Sequence, residues 1–229
     1  MMGEPIIKNE PFPYILIDDF YNQSELDDIW QELDYFCHPR RMGRSSLERG
    51  AAGAPDENGV HQSLKNTWDL RLDSFFTLRD SSNILEINRK LFRDQEMFKN
   101  HPHWLFNHWD ALNEDNTQIL YYENNDEYKP HRDLARLTAI TWFYREPKKF
   151  TGGNLRFPKF DVEIECKHNR VIVFPSSIHH GVGKVGMEEK DMGKKLGRFT
   201  MTQFMACMDR PEIPSGPLTP TGPSDILID

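Results

Sequence analysis

The chain has 229 residues and a mass of 26.9 kDa, enough for one large β-rich domain with appendages. Its 28 Lys and Arg residues against 36 Asp and Glu give a formal charge of -8. A chain this acidic lacks the positive field that a phosphate backbone demands, which argues against a nucleic-acid binder.

Three cysteines (Cys37, Cys166, Cys207) are widely spaced and form no CxxC pair. Neither a disulfide framework nor a thiolate zinc site is expected, and a reducing, cytoplasmic location follows. Residues 1–14 show no cationic-then-apolar leader pattern. The early apolar run 14–17 is far shorter than the ~20 residues of a membrane span, so no membrane partner is expected.

In chain order, residues 13–19 (PYILIDD) read as a short strand closed by acids. Ser24 with Asp27 then forms a capping box. A helix should follow, because Leu26, Ile29, Trp30, Leu33 and Phe36 recur at the three- and four-residue steps of one buried face. Residues 38–62 carry Gly43, Gly50, Gly53, Gly59, Pro55 and four arginines, and read as a flexible surface loop. Ile84, Leu85, Ile87, Leu91, Phe92 and Phe98 suggest a second helical stretch over 83–98. Short β-rich pieces succeed it at 117–122, 137–144, 154–157, 162–164, 171–174, 181–185 and 198–206. Many short strands behind an N-terminal helical layer predict a mainly β fold with a double-stranded β-helix, or jelly-roll, core of cupin type.

Nine histidines supply two HxD triplets. In a strand, residues i and i+2 share a face, so either triplet could offer an imidazole and a carboxylate to one metal ion. His108-Trp109-Asp110 lies in a Trp- and Asn-rich stretch without strand alternation and reads as structural packing. His131-Arg132-Asp133 follows a strand and a polar turn, YENNDEYKPHRD, and the later string SSIHHGVGKV offers a third ligand in His179 or His180. Two histidines and one carboxylate are the set that leaves coordination positions open on Fe(II) for oxygen chemistry.

The string resembles the Fe(II)- and 2-oxoglutarate-dependent dioxygenases, in their prolyl 4-hydroxylase-like branch. It has a Tyr nine residues before HxD, a Gly-Gly-x-Leu-x-Phe stretch at 152–157, an HxVxxV strand and a basic residue opening the last strand. HxD alone is a weak signal, but these motifs in this order are together fairly specific. The resemblance implies that His131, Asp133 and His180 hold the iron, His180 being chosen because it opens HGVGKV. It implies that Arg198 grips the distal carboxylate of 2-oxoglutarate, a task suited to a bidentate guanidinium, and that Tyr122 donates a hydroxyl to the same cosubstrate. Tyr128 is expected at the pocket mouth, with Thr200 and Thr202 on the Arg198 face. The implied reaction consumes O2 and 2-oxoglutarate, releases succinate and CO2, and hydroxylates a C–H bond, most simply in a peptidyl proline. Ascorbate is the implied accessory reductant.

The chain departs from the family pattern in two places. The connection GMEEKDMGKKLG before Arg198 is long and leaves Lys184, Lys194 and Lys195 as alternative cations; Asn124-Asn125 stand where a turn glycine is common. The readings that compete are the same chemistry on another residue or a small molecule, a zinc hydrolase using the same three ligands, and a metal-stabilised binding module without catalysis. The domain is expected over 1–210, followed by a tail, 211–229, with prolines at 211, 214, 217, 220 and 223. That spacing matches the three-residue turn of polyproline II and reads as a stiff extended tail. Oligomeric state is not legible.

Overall fold

Residues 137–143 (LTAITWF) contain no exposed side chain, the mark of a strand covered on both faces. The computed structural model, which describes residues 2–207 apart from 39, 50, 94 and 95, explains why. Ten strands carry the site: β1 (Tyr14–Ile17), β2 (Trp68–Arg71), β3 (Glu114–Tyr122), β4 (Glu127–His131), β5 (Leu137–Phe143), β6 (Leu155–Phe157), β7 (Val162–Ile164), β8 (Val171–Pro175), β9 (His180–Val182) and β10 (Arg198–Ala206). In the larger sheet, β5 is flanked by β8 and β10, and the order runs β1-β8-β5-β10-β3-β2, with short strands Ile6–Lys8 and Gly43–Arg44 at the edges. The smaller sheet runs β7-β6-β9-β4, edged by Lys65–Asn66. The two sheets face one another as a jelly roll.

Alternation along β3 divides the core. Ile119 and Tyr121 face the helices, in a cluster with Ile29, Leu33, Leu85 and Trp109. Leu120 and Tyr122 face the smaller sheet, in a second cluster with Trp142, Leu155, Phe157 and Phe174. Each large side chain removed from water in this way contributes about 1.5–3 kcal/mol before entropy is charged against it.

Helix α1 (Gln23–Phe36) buries Leu26, Ile29, Leu33 and Phe36, as the periodicity predicts. Its capping box is Asn22 with Glu25, not Ser24 with Asp27. The Asn22 side chain accepts from Glu25 N at 3.0 Å, and Asn22 N donates to the Glu25 carboxylate at 2.8 Å. Asn22 has the extended backbone that a cap requires, whereas Ser24 already lies within the helix. The expected helix over 83–98 is broken into α2 (Asn83–Ile87) and single turns at Lys90–Arg93 and Glu96–Lys99. Asn88 ends α2 and turns inward, its amide donating to Thr117 Oγ1 at 2.8 Å.

Segment 38–62 is not a structureless loop. Gly43–Arg44 pairs with β2, and Gly53–Pro55 pairs with His61–Ser63 as a hairpin. Asp56 builds its turn by accepting from Asn58 N and Val60 N, both at 2.9 Å, and Gly59 takes φ +78°. The expected strand 181–185 is two strands in two sheets: β9, and Val185–Met187 against Phe150–Gly152. Residues 211–229, expected as the proline tail, lie outside the described residues. Among the described residues no helix is long and apolar enough to cross a membrane.

Candidate active site

Strands β4 and β9 pair so that His131 and His180 sit opposite one another, their ring centroids 4.5 Å apart. The turn after β4 brings Asp133 between them: its carboxylate oxygens lie 3.3 Å from His131 Nε2 and 3.3 Å from His180 Nε2. One potential ligand atom from each of the three residues falls within 4.8 Å of the others. Among the described residues no other group of three histidines, cysteines or acids has this geometry. The exposed His108 and Asp110 of the first HxD triplet are used locally, bonding Trp104 O at 2.9 Å and Lys99 Nζ at 2.8 Å respectively.

Each member is oriented by an outer contact. His131 Nδ1 donates to Lys129 O at 3.0 Å and His180 Nδ1 to Ile178 O at 2.8 Å, a tautomer that turns both Nε2 lone pairs toward the centre. Thr138 Oγ1 donates to Asp133 Oδ2 at 2.7 Å, and Asp133 N donates to Ser176 O at 3.0 Å. Tyr128 stacks on the His131 ring at 3.6 Å and 10°. Burial alone would raise the Asp133 carboxyl, but when His131 and His180 are protonated, and so also carry a proton on Nε2, their hydrogen bonds and charge outweigh it and hold the group well below the usual carboxylate range.

Across the cleft lies Arg198, the first residue of β10 and fully buried. Its Nη1 bonds Thr200 Oγ1, while Nε and Nη2 have no hydrogen-bond partner, and neither has the hydroxyl of Tyr122. The guanidinium stands 4.5 Å from the centroid of the Tyr122 ring, and burial raises that phenol to about 12 against the opposing pull of Arg198. Buried polar atoms of this kind are normally paired, so three unpaired ones around one charge mark a place for a ligand. Gly153 makes room for the arginine: at φ +71°, a Cβ there would lie 2.8 Å from Arg198 Cδ. The cleft is lined by the three metal-type residues, Tyr122, Tyr128 and Arg198, and also by Gln118, Thr202 and Phe204. Among the described residues that line it, Arg198 is the only Arg or Lys. Lys184 and Lys194 are exposed, and Lys195 Nζ donates to Asp34 O at 2.6 Å.

Gln118 and Phe204 were missed in the sequence. They are found by stepping back two residues at a time from Tyr122 and forward from Arg198, since alternate residues of a strand share a face. The buried pair Lys65–Asp69, 2.9 Å apart, was also missed, because its strands are short and carry no apolar pattern.

Residues 117–206 match the family described as the 2OG-Fe(II) oxygenase superfamily. No curated protein matches the chain in sequence. Several solved structures share its fold. The prolyl-4-hydroxylase of Pseudomonas putida aligns at a TM-score of 0.51 and 15% identity, over 84% of this chain and 92% of that one. An oxidoreductase of the 2OG-Fe(II) oxygenase family from Burkholderia pseudomallei aligns at 0.52 and 14%, over 85% of each chain. The collagen prolyl hydroxylase of Paramecium Bursaria Chlorella virus-1 aligns at 0.50 and 14%, over 84% and 94%. The family uses Fe(II) and 2-oxoglutarate. With the His-Asp-His group and the jelly roll in place, residues 117–206 match the 2OG-Fe(II) oxygenase superfamily, on a fold shared with prolyl 4-hydroxylases.

Proposed function

We propose that the chain is a hydroxylase of peptidyl proline, with His131, Asp133 and His180 as iron ligands and Arg198 and Tyr122 as the 2-oxoglutarate clamp. The observation that carries this reading is the buried arginine with two unpaired N–H groups across a cleft from two imidazoles and a carboxylate. The donor set suits Fe(II) with positions left open, and a dicarboxylate gives the buried charge its partner. A zinc hydrolase would need the first set and leave the second without a purpose. The fold shared with prolyl 4-hydroxylases supports proline as the substrate residue.

When bound, Fe(II) and 2-oxoglutarate supply, with O2, the oxidising power for C–H hydroxylation, and the cosubstrate leaves as succinate and CO2. The protein's part is binding and orientation. Arg198, its Nε and Nη2 free of partners, would hold the far carboxylate, with Thr200 locking the guanidinium through Nη1. Tyr122, held protonated by burial, has its hydroxyl free to donate. The outer bonds to Lys129 O, Ile178 O and Thr138 keep the three ligands from rotating out of register. Leu120, Leu155 and Phe157 make the sheet interior apolar, which strengthens these charged contacts by excluding water. The catalytic domain is taken as 1–210. A reducing, cytoplasmic setting suits three cysteines that are all unpaired.

The test is tandem mass spectrometry of a (Pro-Ala-Pro-Lys)-type peptide after incubation with Fe(II), 2-oxoglutarate and O2. One added oxygen on a proline, matched by an equal amount of succinate and absent in His131→Ala, is expected. Succinate without oxygen on any proline-containing peptide would move the substrate to another residue or to a small molecule.

A further inference from the structure

The larger sheet carries a second set of polar side chains beside the cleft, on the side away from Arg198. The register places Ile140, Thr202, Gln118 and Arg71 in one row across β5, β10, β3 and β2. The next row, toward the triad's Thr138, is Thr138, Phe204 and Asn116. Leu70 and Ile119 belong to the helix-side core, so their neighbours Arg71, Gln118 and Asn116 stand on the opposite, cleft side. Gln118 and Phe204 line the cleft directly.

Each of these groups offers a polar atom that has no hydrogen-bond partner among the described residues. Asn116 Oδ1 is buried with no hydrogen bond. Gln118 is 6% exposed, and no side-chain bond joins its amide to another described residue. Arg71 is half-buried and likewise has no hydrogen bond or ion pair among the described residues. The acid beside it on the same face, Asp69, is already engaged by Lys65 at 2.9 Å and Ser45 at 2.7 Å. Arg198 cannot share a ligand head group with this row. It lies four residues before Thr202 on β10, about 14 Å at ~3.4 Å per residue.

We propose that Arg71, Gln118 and Asn116 form a subsite that holds the main chain of an extended peptide substrate beside the iron ligands. The chemistry distinguishes this from a second carboxylate site. Two of the three groups are amides, each offering a donor and an acceptor, and a buried amide oxygen repels a carboxylate but accepts from a peptide N–H. Asn116 and Gln118 are two residues apart on one strand face, the repeat at which an extended peptide presents its own C=O and N–H groups on one edge. Arg71 adds a fork of donors for a carbonyl at the open end. The inference rests on the peptidyl-proline reading above and assigns the residues that would recognise such a peptide independently of its side chains.

The test uses the full chain, loaded with 2-oxoglutarate and with zinc as an inert stand-in for iron, and a fluorescent (Pro-Ala-Pro-Lys)2 peptide read by anisotropy. Arg71→Ala is expected to weaken peptide binding by about tenfold or more, the loss of one charged hydrogen-bonding group. Arg71→Lys keeps the charge without the fork and should fall between. In the iron enzyme the KM for peptide should rise in step, while the KM for 2-oxoglutarate stays within about twofold, since Arg198 is untouched. Arg71→Gln serves if the alanine variant does not fold. Peptide binding within twofold of wild type in Arg71→Ala overturns the subsite and leaves the peptidyl-proline reading standing. So does a parallel loss of 2-oxoglutarate affinity, which would mean general disruption. A wild-type protein that neither binds the peptide nor turns over faster in its presence removes both.

Discussion

At the residue scale the site depends on groups that act through others. Thr138 is such a group: its hydroxyl donates to Asp133 Oδ2, the oxygen that faces His180, and also pairs with Ser176 Oγ at 2.8 Å, fixing the rotation of the carboxylate between the two histidines. Thr138→Val keeps the shape and removes that bond. Outer-shell losses of this kind cost about 10–100-fold in metal affinity. A competition titration with zinc should show it, and an unchanged affinity would mean that Asp133 is positioned by its backbone bond to Ser176 alone. The single residues that could be read in the sequence were those with distinctive chemistry in a recognisable order: His131, Asp133, His180 and Arg198. Thr138 and Arg71 were not legible, because nothing in a Thr or an Arg within a strand shows which atoms it meets until the register is known.

At the element scale, pattern gave the long strands and failed at the short ones. β10 has the bounds expected of it, because RFTMTQFMA is a β-rich run of nine residues opened by Gly197. Gly43–Arg44 and Lys65–Asn66 are two-residue strands whose pairing is decided by their neighbours, β2 and β4, and no local preference announces them. The Gly152-Gly153 pair was visible as a motif, but its reason is three-dimensional. Both take positive φ, +68° and +71°; a Cβ at Gly152 would sit 2.2 Å from Lys184 O, and one at Gly153 would press on Arg198 and on Val185. Gly153→Ala therefore combines backbone strain of about 1–3 kcal/mol with displacement of the guanidinium. The unfolding midpoint should drop by roughly 2–4 °C for each kcal/mol, with a raised KM for 2-oxoglutarate. A lower midpoint with an unaltered KM would show that the glycine serves the turn and not the arginine.

At the scale of the whole molecule, the first strand is tied to the rest of the sheet by charge. Asp18, just after β1, accepts from Arg170 Nε at 2.5 Å and Lys167 Nζ at 2.7 Å, in the segment leading into β8. The hydrogen bond from Arg170 leads the causes that hold its carboxyl down at about 2, burial opposing. A depressed carboxyl contributes stability that is complete above its unfolded value near 3.9 and is lost as pH falls through its folded value. Acid unfolding between about pH 4 and pH 2 should therefore be less steep in Asp18→Asn, and the two proteins should converge at the acid end; because Asp18 is 29% exposed the difference is modest. Equal slopes across that window would remove Asp18 from the acid response. The overall architecture was legible, since a jelly roll needs many short strands between turn residues, and those were present. The placement of β3 and β10 side by side, which sets Tyr122 opposite Arg198, was not, because long-range pairing leaves no local trace.

The central claim is that the cleft binds 2-oxoglutarate between the iron ligands and Arg198. Succinate release as a function of 2-oxoglutarate concentration, in wild type and Arg198→Ala under Fe(II) and O2, tests it most directly. Removing a charged bidentate contact should raise the KM by about 10–150-fold, with activity recoverable in part at high cosubstrate. A wild-type KM retained in Arg198→Ala would contradict the account, as would a wild-type protein that takes up metal and yet releases no succinate.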